Sequence, residues 1–563
     1  VHPPSPPDGV FSIAVSRPPL PTSDKGAYRR EEESPLRNTD MPYIVMVIQS
    51  VIIFITLSAF ILYVFSPRSL PLLNPTAAPS FTVTFETADR LPFPPPPPLP
   101  PLNPSDDVVV DDEDGKKALP SHHSHSMLAR FKKAAVVSDH GICSEIGRSI
   151  LTKGGNAIDV AIATLFCVGV TNPQSSGIGG GFFMQIYMKE TCECKTINAR
   201  ETAPKDIDIK AYQKNPNHTS YGWKSIGVPG EIKGFWHAFN TFGSGNPSSG
   251  GKVKWGELIE PTIKLCSEGI PVSEYLATIL ETTKDKVSRN NELRMMFTNP
   301  ATNVFYKEGE IMHRPKLAKT LQRLADAADP AELFYKGEMA QTIVKEIQEG
   351  GGYLTLEDLE DYEAADKPSV TSSITPTISQ CGPPPPSSWI VTQLIVKVMA
   401  ELYPEPRRRE DLDTVLFYHR LIEAEKFAYA LRTHLGDPYH LKKEMAYFIR
   451  NLTDPTTAKI IAAKISDVGP LPKETYQSDG YVKEDHGTSH VSVIDEQGNA
   501  VAVTSTINLR LGSNVASSLG IIWNDQMDDF SVPGHSNAFG FAASAANSME
   551  PGKTPMSSMS PTI

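Results

Sequence analysis

The chain has 563 residues, 40% of them hydrophobic and 21% charged, which is ample material for a large folded core. Its formal net charge of −12 argues against nucleic-acid binding, which calls for a basic surface, and specifies no other partner.

Residues 1–42 read as a disordered tail. Tyr43 to Phe65 then carries no formal charge and, as a helix, would extend about 34 Å, enough for a ~30 Å hydrocarbon core. That is too long for a secretory apolar region, and no small-residue cleavage site follows it cleanly. Lys25, Arg29, Arg30 and Arg37 precede the span closely, whereas only Arg68 follows. The positive-inside rule therefore predicts a cytoplasmic N-terminus, a single-pass type II anchor and a catalytic region outside the plasma membrane. Residues 66–131 read as a stalk that cannot build a core. Pro94 to Pro98 favours extended polyproline, and Asp111-Asp112-Glu113-Asp114 is self-repelling. His122-His123-Ser124-His125 reads as part of this polar tract rather than as a metal site.

Beyond the stalk, predicted helices (Cys143 to Gly154, Ala157 to Gly169, Leu412 to Leu435) alternate with strands, which suits a layered α/β domain. Gly177-Ile178-Gly179-Gly180-Gly181 superficially suggests a phosphate cradle. No Lys-Ser/Thr follows it, so close backbone packing ahead of a strand from Phe182 to Met188 is the better account. Six cysteines show no Cys-x-x-Cys pair or His/Cys cluster, so no metal is predicted. Cys192 and Cys194 sit too far apart on a strand to bond readily; with Cys266 and Cys381 they are free or paired among themselves. Sequons at Asn217 and Asn451 fit glycosylation of an exported domain.

The most informative stretch is Glu484-Asp485-His486-Gly487-Thr488-Ser489-His490-Val491. If the Gly487–Thr488 bond is cut, Thr488 gains a free α-amine beside its hydroxyl, so one residue holds both nucleophile and general base. The ordinary reading of such a pair is a turn-to-strand junction. His490 to Ile494 alternates like a half-buried strand, Asp495 to Gly498 reads as a turn, and Asn499 to Thr506 as the return strand. Pairing Ile494 with Asn499 places Thr488 opposite Ser505, with Thr506 one step away.

DHGTSHVSVIDEQGNAVAVTSTIN, GIIWNDQMDDFSVP and KTPMSSMSPTI closely resemble the small subunit of γ-glutamyltransferases (γ-glutamyl transpeptidases). GICSEIGRSILTKGGNAIDVAIATLFCVGVTNPQSSGIGGGFF, INARETAP, GVPGEIKGFW and FYHRLIEAEKFAYALRTHLGDP resemble their large subunit, in family order. The resemblance implies an N-terminal-nucleophile hydrolase with an αββα sandwich, a large subunit over 132–487 and a small subunit over 488–563 after self-cleavage at Gly487–Thr488. It implies γ-glutamyl transfer from glutathione or its conjugates to amino acids, dipeptides or water, through an ester on Thr488 and without a cofactor. The type II anchor resembles that of the animal members.

Carried over residue by residue, Arg200 matches the arginine that pairs with the donor's α-carboxylate, and Ser557 and Ser558 match the serines that assist it. Asp529 matches the acid that receives the α-ammonium, with Asn508 and Gln526; some relatives carry glutamate at the Gln526 position. Thr506 supplies a second hydroxyl beside Thr488. Cys143 and Cys167 match a family disulfide, whose closure contributes roughly 3–4 kcal/mol. Pro383 to Pro386 matches a proline run near the active-site rim, where Trp389 replaces the usual glycine and is expected to alter acceptor access. The Ser517–Gly520 loop is one residue shorter than in many relatives. The chain stops at Ile563, before the family's oxyanion Gly-Gly pair, which gives the expectation of a fragment. A truncated, non-catalytic membrane glycoprotein of the same fold is the competing expectation, and the glutamate-binding set disfavours a related acylase.

Overall fold

The computed structural model describes residues 131–245, 252–405, 412, 414–476 and 487–563. The predicted tail, the span Tyr43 to Phe65 and almost all of the stalk lie outside these residues. Among the described residues no helix is long and apolar enough to cross a membrane.

Six strands form one antiparallel sheet: β1 (Ala135–Ser138), β2 (Gly181–Met188), β3 (Glu193–Ala199), β4 (Ala365–Pro368), β5 (Ser489–Ile494) and β6 (Ala500–Thr506). Their spatial order is β1-β5-β6-β2-β3-β4. The hairpin that follows Thr488 is thus inserted between strands from the first part of the chain. A cut before Thr488 would leave both ladders intact, and with them the union of the two pieces.

Helices α1 (Gly141–Thr152), α2 (Ala157–Thr171) and α3 (Glu231–Phe242) pack beside this sheet. Every residue of α2 is buried, as expected of a helix apolar on all sides. Asn156 and Asp159 form a reciprocal capping box at its start. The Cys143–Cys167 disulfide joins α1 to α2, as the resemblance implied. In β5, Ser489, Val491 and Val493 are buried, whereas His490, Ser492 and Ile494 are exposed. The predicted alternation therefore holds, and its apolar side meets α2.

The register differs by one residue from the expectation. Ile494 pairs with Ala500 and Ser489 with Ser505, so continuing the ladder sets Thr488 across from Thr506. The cause is Asp495, whose carboxylate accepts from the backbone N–H of Gln497 and Asn499 and from Asn499 Nδ2. Its other contact, from the N–H of Ala157, ties the turn to the start of α2. Asp495 and Asn499 consequently close the loop together, and both lie inside it rather than beside it.

A second apolar cluster gathers around α4 (Trp389–Leu402) and α5 (Val415–Arg432). Trp389 is fully buried there, close against Gly382. It is a core residue: the helix start carries its ring inward, so any effect on acceptor access does not come from an exposed ring. A short hairpin, Val370–Ser373 with Ser379–Gly382, lies nearby. Its Cys381 exchanges backbone hydrogen bonds with Ile563 at 2.7 and 3.1 Å and forms a disulfide with Cys194 on β3. After β6 the chain runs to Ile563 through turns and short 3-10 segments and adds no further strand. The architecture is a layered α/β fold; the second large sheet of the expected sandwich is not among the described residues.

Candidate active site

Thr488 is the residue just ahead of β5, and its Oγ1 lies 3.0 Å from Thr506 Oγ1. The N–H of Asn508 donates to Thr506 Oγ1 at 2.9 Å, which fixes that second hydroxyl. Thr488 has φ +82° and Gly487 φ +115°. A β-branched residue in this left-handed region is strained, by about 1–3 kcal/mol. A Cβ on Gly487 would sit 2.8 Å from the carbonyl oxygen of Asn508, so glycine is required before Thr488 on grounds of space as well as φ.

The glycine-rich run supports the same strand end from behind. A Cβ on Gly180 would lie 2.0 Å from the carbonyl oxygen of Thr506, and one on Gly179 would lie 2.1 Å from that of Ile522. Close backbone packing, rather than a phosphate, accounts for these glycines.

Sheet parity divides the hairpin's polar residues. Thr488, Thr504 and Thr506 point to the face away from α2 and line a cavity of ≈ 190 Å³. Arg200, Asn508, Gln526 and Asp529 form another part of its wall, and Ser557 and Ser558 close it together with Met559, Ser560 and Phe539. Every catalytic and substrate-binding residue nominated from the sequence therefore converges on one cavity, although Arg200 and Thr488 are 288 positions apart (488 − 200). Thr504 was missed, although the i, i+2 spacing to Thr506 was a readable signal. Phe539 carried no such signal, because it sits in a loop.

The Arg200 side chain is fully buried. Its Nε donates to the carbonyl of Pro555 at 3.2 Å, and its Nη2 donates to that of Met556 at 2.9 Å and to Asp529 Oδ2. Gln526 Nε2 donates to the same Asp529 oxygen at 2.7 Å. Arg200 Nη1 and Gln526 Oε1 are buried and make no hydrogen bond. Behind Arg200 lies Glu201, whose Oε2 is 3.8 Å from Nη1. Burial pushes the Glu201 carboxyl up to about 8, against the opposing pull of Arg200.

The opposite face of the hairpin carries a buried network that sequence reasoning did not find. Ser505 Oγ donates to Glu231 Oε1 at 3.1 Å and lies 2.8 Å from Ser176 Oγ. Burial also pushes Glu231 up to about 8. Asp525, buried beneath the Asn508 turn, is raised well above the carboxylate range by the same cause, while its Oδ1 accepts the N–H of Leu509. Glu231 was legible only as part of a motif, since nothing local marks a glutamate at a helix start as buried.

The remaining sites are peripheral. Asn217 is exposed in a 3-10 turn, whereas Asn451 is half-buried in the last turn of the helix Lys442–Thr453. Cys192 is exposed and Cys266 buried, both as free thiols.

The family model for gamma-glutamyltranspeptidase matches residues 143–563. The chain is 38% identical over 442 residues to Scoloptoxin SSD14 of Scolopendra dehaani, covering 78% of this chain and 74% of the relative. It is 36% identical over 442 residues to Glutathione hydrolase proenzyme 2 of Schizosaccharomyces pombe, covering 77% and 69%. Among solved structures, the γ-glutamyltranspeptidase of Helicobacter pylori superposes with a TM-score of 0.55 at 28% identity, over 62% of this chain and 96% of that one. With the paired threonines and the surrounding cavity, these similarities identify the chain as a member of the γ-glutamyltranspeptidase family of N-terminal-nucleophile enzymes.

Proposed function

We propose that this protein transfers the γ-glutamyl group of glutathione and its conjugates to amino acids, dipeptides or water, after cutting itself at Gly487–Thr488. The observation that carries this reading is the Thr488–Thr506 hydroxyl pair at 3.0 Å, opening into a cavity that also holds a buried cation and a carboxylate.

In the uncut chain the nitrogen of Thr488 is an amide and is no base. Addition of Thr488 Oγ1 to the Gly487 carbonyl carbon, followed by breakage of the C–N bond, moves the acyl group to oxygen and frees the amine. Water then hydrolyses that ester, releasing the Gly487 carboxylate and restoring the hydroxyl. In the mature enzyme the amine takes the Thr488 hydroxyl proton as the oxygen attacks the donor's γ-carbonyl, and passes the proton to the departing amine. An acceptor amine or water next breaks the γ-glutamyl ester and regenerates Thr488.

The donor's α-carboxylate pairs with the Arg200 guanidinium, with help from Ser557 and Ser558. Its α-ammonium takes Asp529. Gln526 uses its Nε2 on Asp529, which leaves Oε1 as an acceptor for the ammonium. Asn508 likewise uses Nδ2 on the carbonyl of Asp525, at 3.1 Å, and keeps its amide oxygen for the donor.

The same reading includes the type II plasma-membrane anchor of the animal members, on the strength of the uncharged run Tyr43 to Phe65 and its flanking arginines. Exposed Asn217 is the better supported of the two glycosylation sites. Initial rates with a γ-glutamyl donor and a dipeptide acceptor test the covalent step. Parallel double-reciprocal lines are expected of a ping-pong reaction, and intersecting lines would contradict the ester.

A further inference from the structure

Arg432 stands in the last turn of α5, outside the donor cavity, and reaches two loops at once. Its Nε donates to Ser388 Oγ at 3.1 Å, and its Nη2 donates to Ser558 Oγ at 3.3 Å. Ser388 Oγ in turn donates to the carbonyl of Ser557 at 2.5 Å. The ring of Phe541 covers the guanidinium with its centroid 3.9 Å from Cζ, a cation–π contact that holds the fork in one plane.

Arginine offers donors only, so each hydroxyl that accepts from it must direct its own proton elsewhere. For Ser388 that proton goes to the Ser557 carbonyl, fixing the backbone at the cavity wall. For Ser558, an exposed residue that lines the cavity, the proton is left for whatever enters. A carboxylate has acceptors only and therefore needs a hydroxyl polarised in this sense.

We propose that Arg432 is a positioning residue for the donor's α-carboxylate, orienting Ser558 as a hydrogen-bond donor and anchoring Ser557 through Ser388. The inference rests on the γ-glutamyl donor reading above and adds to it a determinant of substrate class that lies behind the residues touching substrate. Lysine cannot replace it fully, because a single ammonium does not reproduce a planar fork aimed at two hydroxyls.

The test compares γ-glutamyl-p-nitroanilide with its α-carboxamide analogue, using full-length matured enzyme. Arg432→Gln is expected to raise KM for the carboxylate donor about 10-fold, with kcat within about 3-fold and kcat/KM for the amide donor within about 2-fold. Arg432→Lys, which keeps charge and much of the packing, is expected to give an intermediate ratio and carries the test if the glutamine variant fails to mature. Equal losses on both donors would mean a merely structural role, and an unchanged ratio in both variants would mean none; either overturns the proposal. A wild-type enzyme that does not prefer the α-carboxylate donor would instead overturn the donor reading itself.

Discussion

Arg200 and Asp529 are each other's counter-ion: Arg200 Nη2 donates to Asp529 Oδ2, and Gln526 shares that oxygen. A buried guanidinium needs a nearby negative charge, and Asp529 accepts from it directly, whereas Glu201 stands 3.8 Å away. A γ-glutamyl donor carries both charges at one end. In the proposed reaction its ammonium would satisfy Asp529 and its carboxylate Arg200, so that binding would exchange one internal pair for two external ones without stranding a charge.

Arg200→Lys should therefore raise the donor KM by about 10–100-fold, since a point charge cannot keep two carbonyls and a carboxylate in its plane. Asp529→Asn should do more, because it also leaves Arg200 without its partner, at a cost of about 3–5 kcal/mol. Steady-state kinetics with a γ-glutamyl anilide, alongside thermal melts, separate the two effects. An unchanged KM in Arg200→Lys would show that the donor does not use this guanidinium.

Thr506 Oγ1 lies 3.0 Å from the hydroxyl of Thr488, the proposed nucleophile, and accepts from the Asn508 N–H. Thr506→Ala should slow both self-cleavage and turnover, by about 10–100-fold, while Thr506→Ser should restore most of the loss. Gel time courses of the precursor and kcat of the matured enzyme provide the readout. Equal behaviour of the alanine and serine variants would assign the effect to packing of the methyl group.

Glu231 supplies a pH dependence whose sign can be worked out. Burial is the main cause that lifts its carboxyl from 4.5 to about 8, with nearby Glu201 adding to the rise and the Ser505 bond opposing it. Between those values the folded protein holds a proton that the unfolded chain has released. The stability this confers is present below about pH 4.5 and is lost as the pH rises through about 8. Glu231→Gln keeps a neutral group of the same shape, so its melting temperature should fall less than that of the wild type between pH 5 and 8.5. Parallel curves would mean that Glu231 is ionised throughout.

The cysteine pattern is checked by counting thiols. Native protein should react quickly with an impermeant thiol reagent at Cys192 alone, and denatured, unreduced protein at Cys192 and Cys266. Peptide mapping should recover Cys143–Cys167 and Cys194–Cys381 as linked pairs. A Cys192–Cys194 linkage would contradict this arrangement.

The local features of the site were readable because they are local: the Gly-Thr junction, the alternating hairpin and the tight glycine run all follow from neighbouring residues. The one-residue register error arose at Asp495, whose carboxylate closes a longer turn by reaching its own backbone and the start of α2. Thr488 consequently faces Thr506 rather than Ser505, and Ser505 turns instead toward Glu231. The Cys194–Cys381 bridge spans 187 positions, and no spacing rule selects it from the four cysteines left open. The burial of Trp389 was not legible beside a proline run, because it depends on α4 starting there, close beneath Gly382. Buried charge was the least legible feature. Glu201 and Glu231 look like surface residues until the sheet and α3 enclose them.

The most direct test of the central claim is N-terminal sequencing of the purified protein and of its Thr488→Ala variant, each assayed for γ-glutamyl turnover. Two fragments are expected from the wild type, the smaller beginning at Thr488, with an uncut and inactive alanine variant. An intact wild-type chain that turns over donor, or an alanine variant that retains activity, would contradict the account.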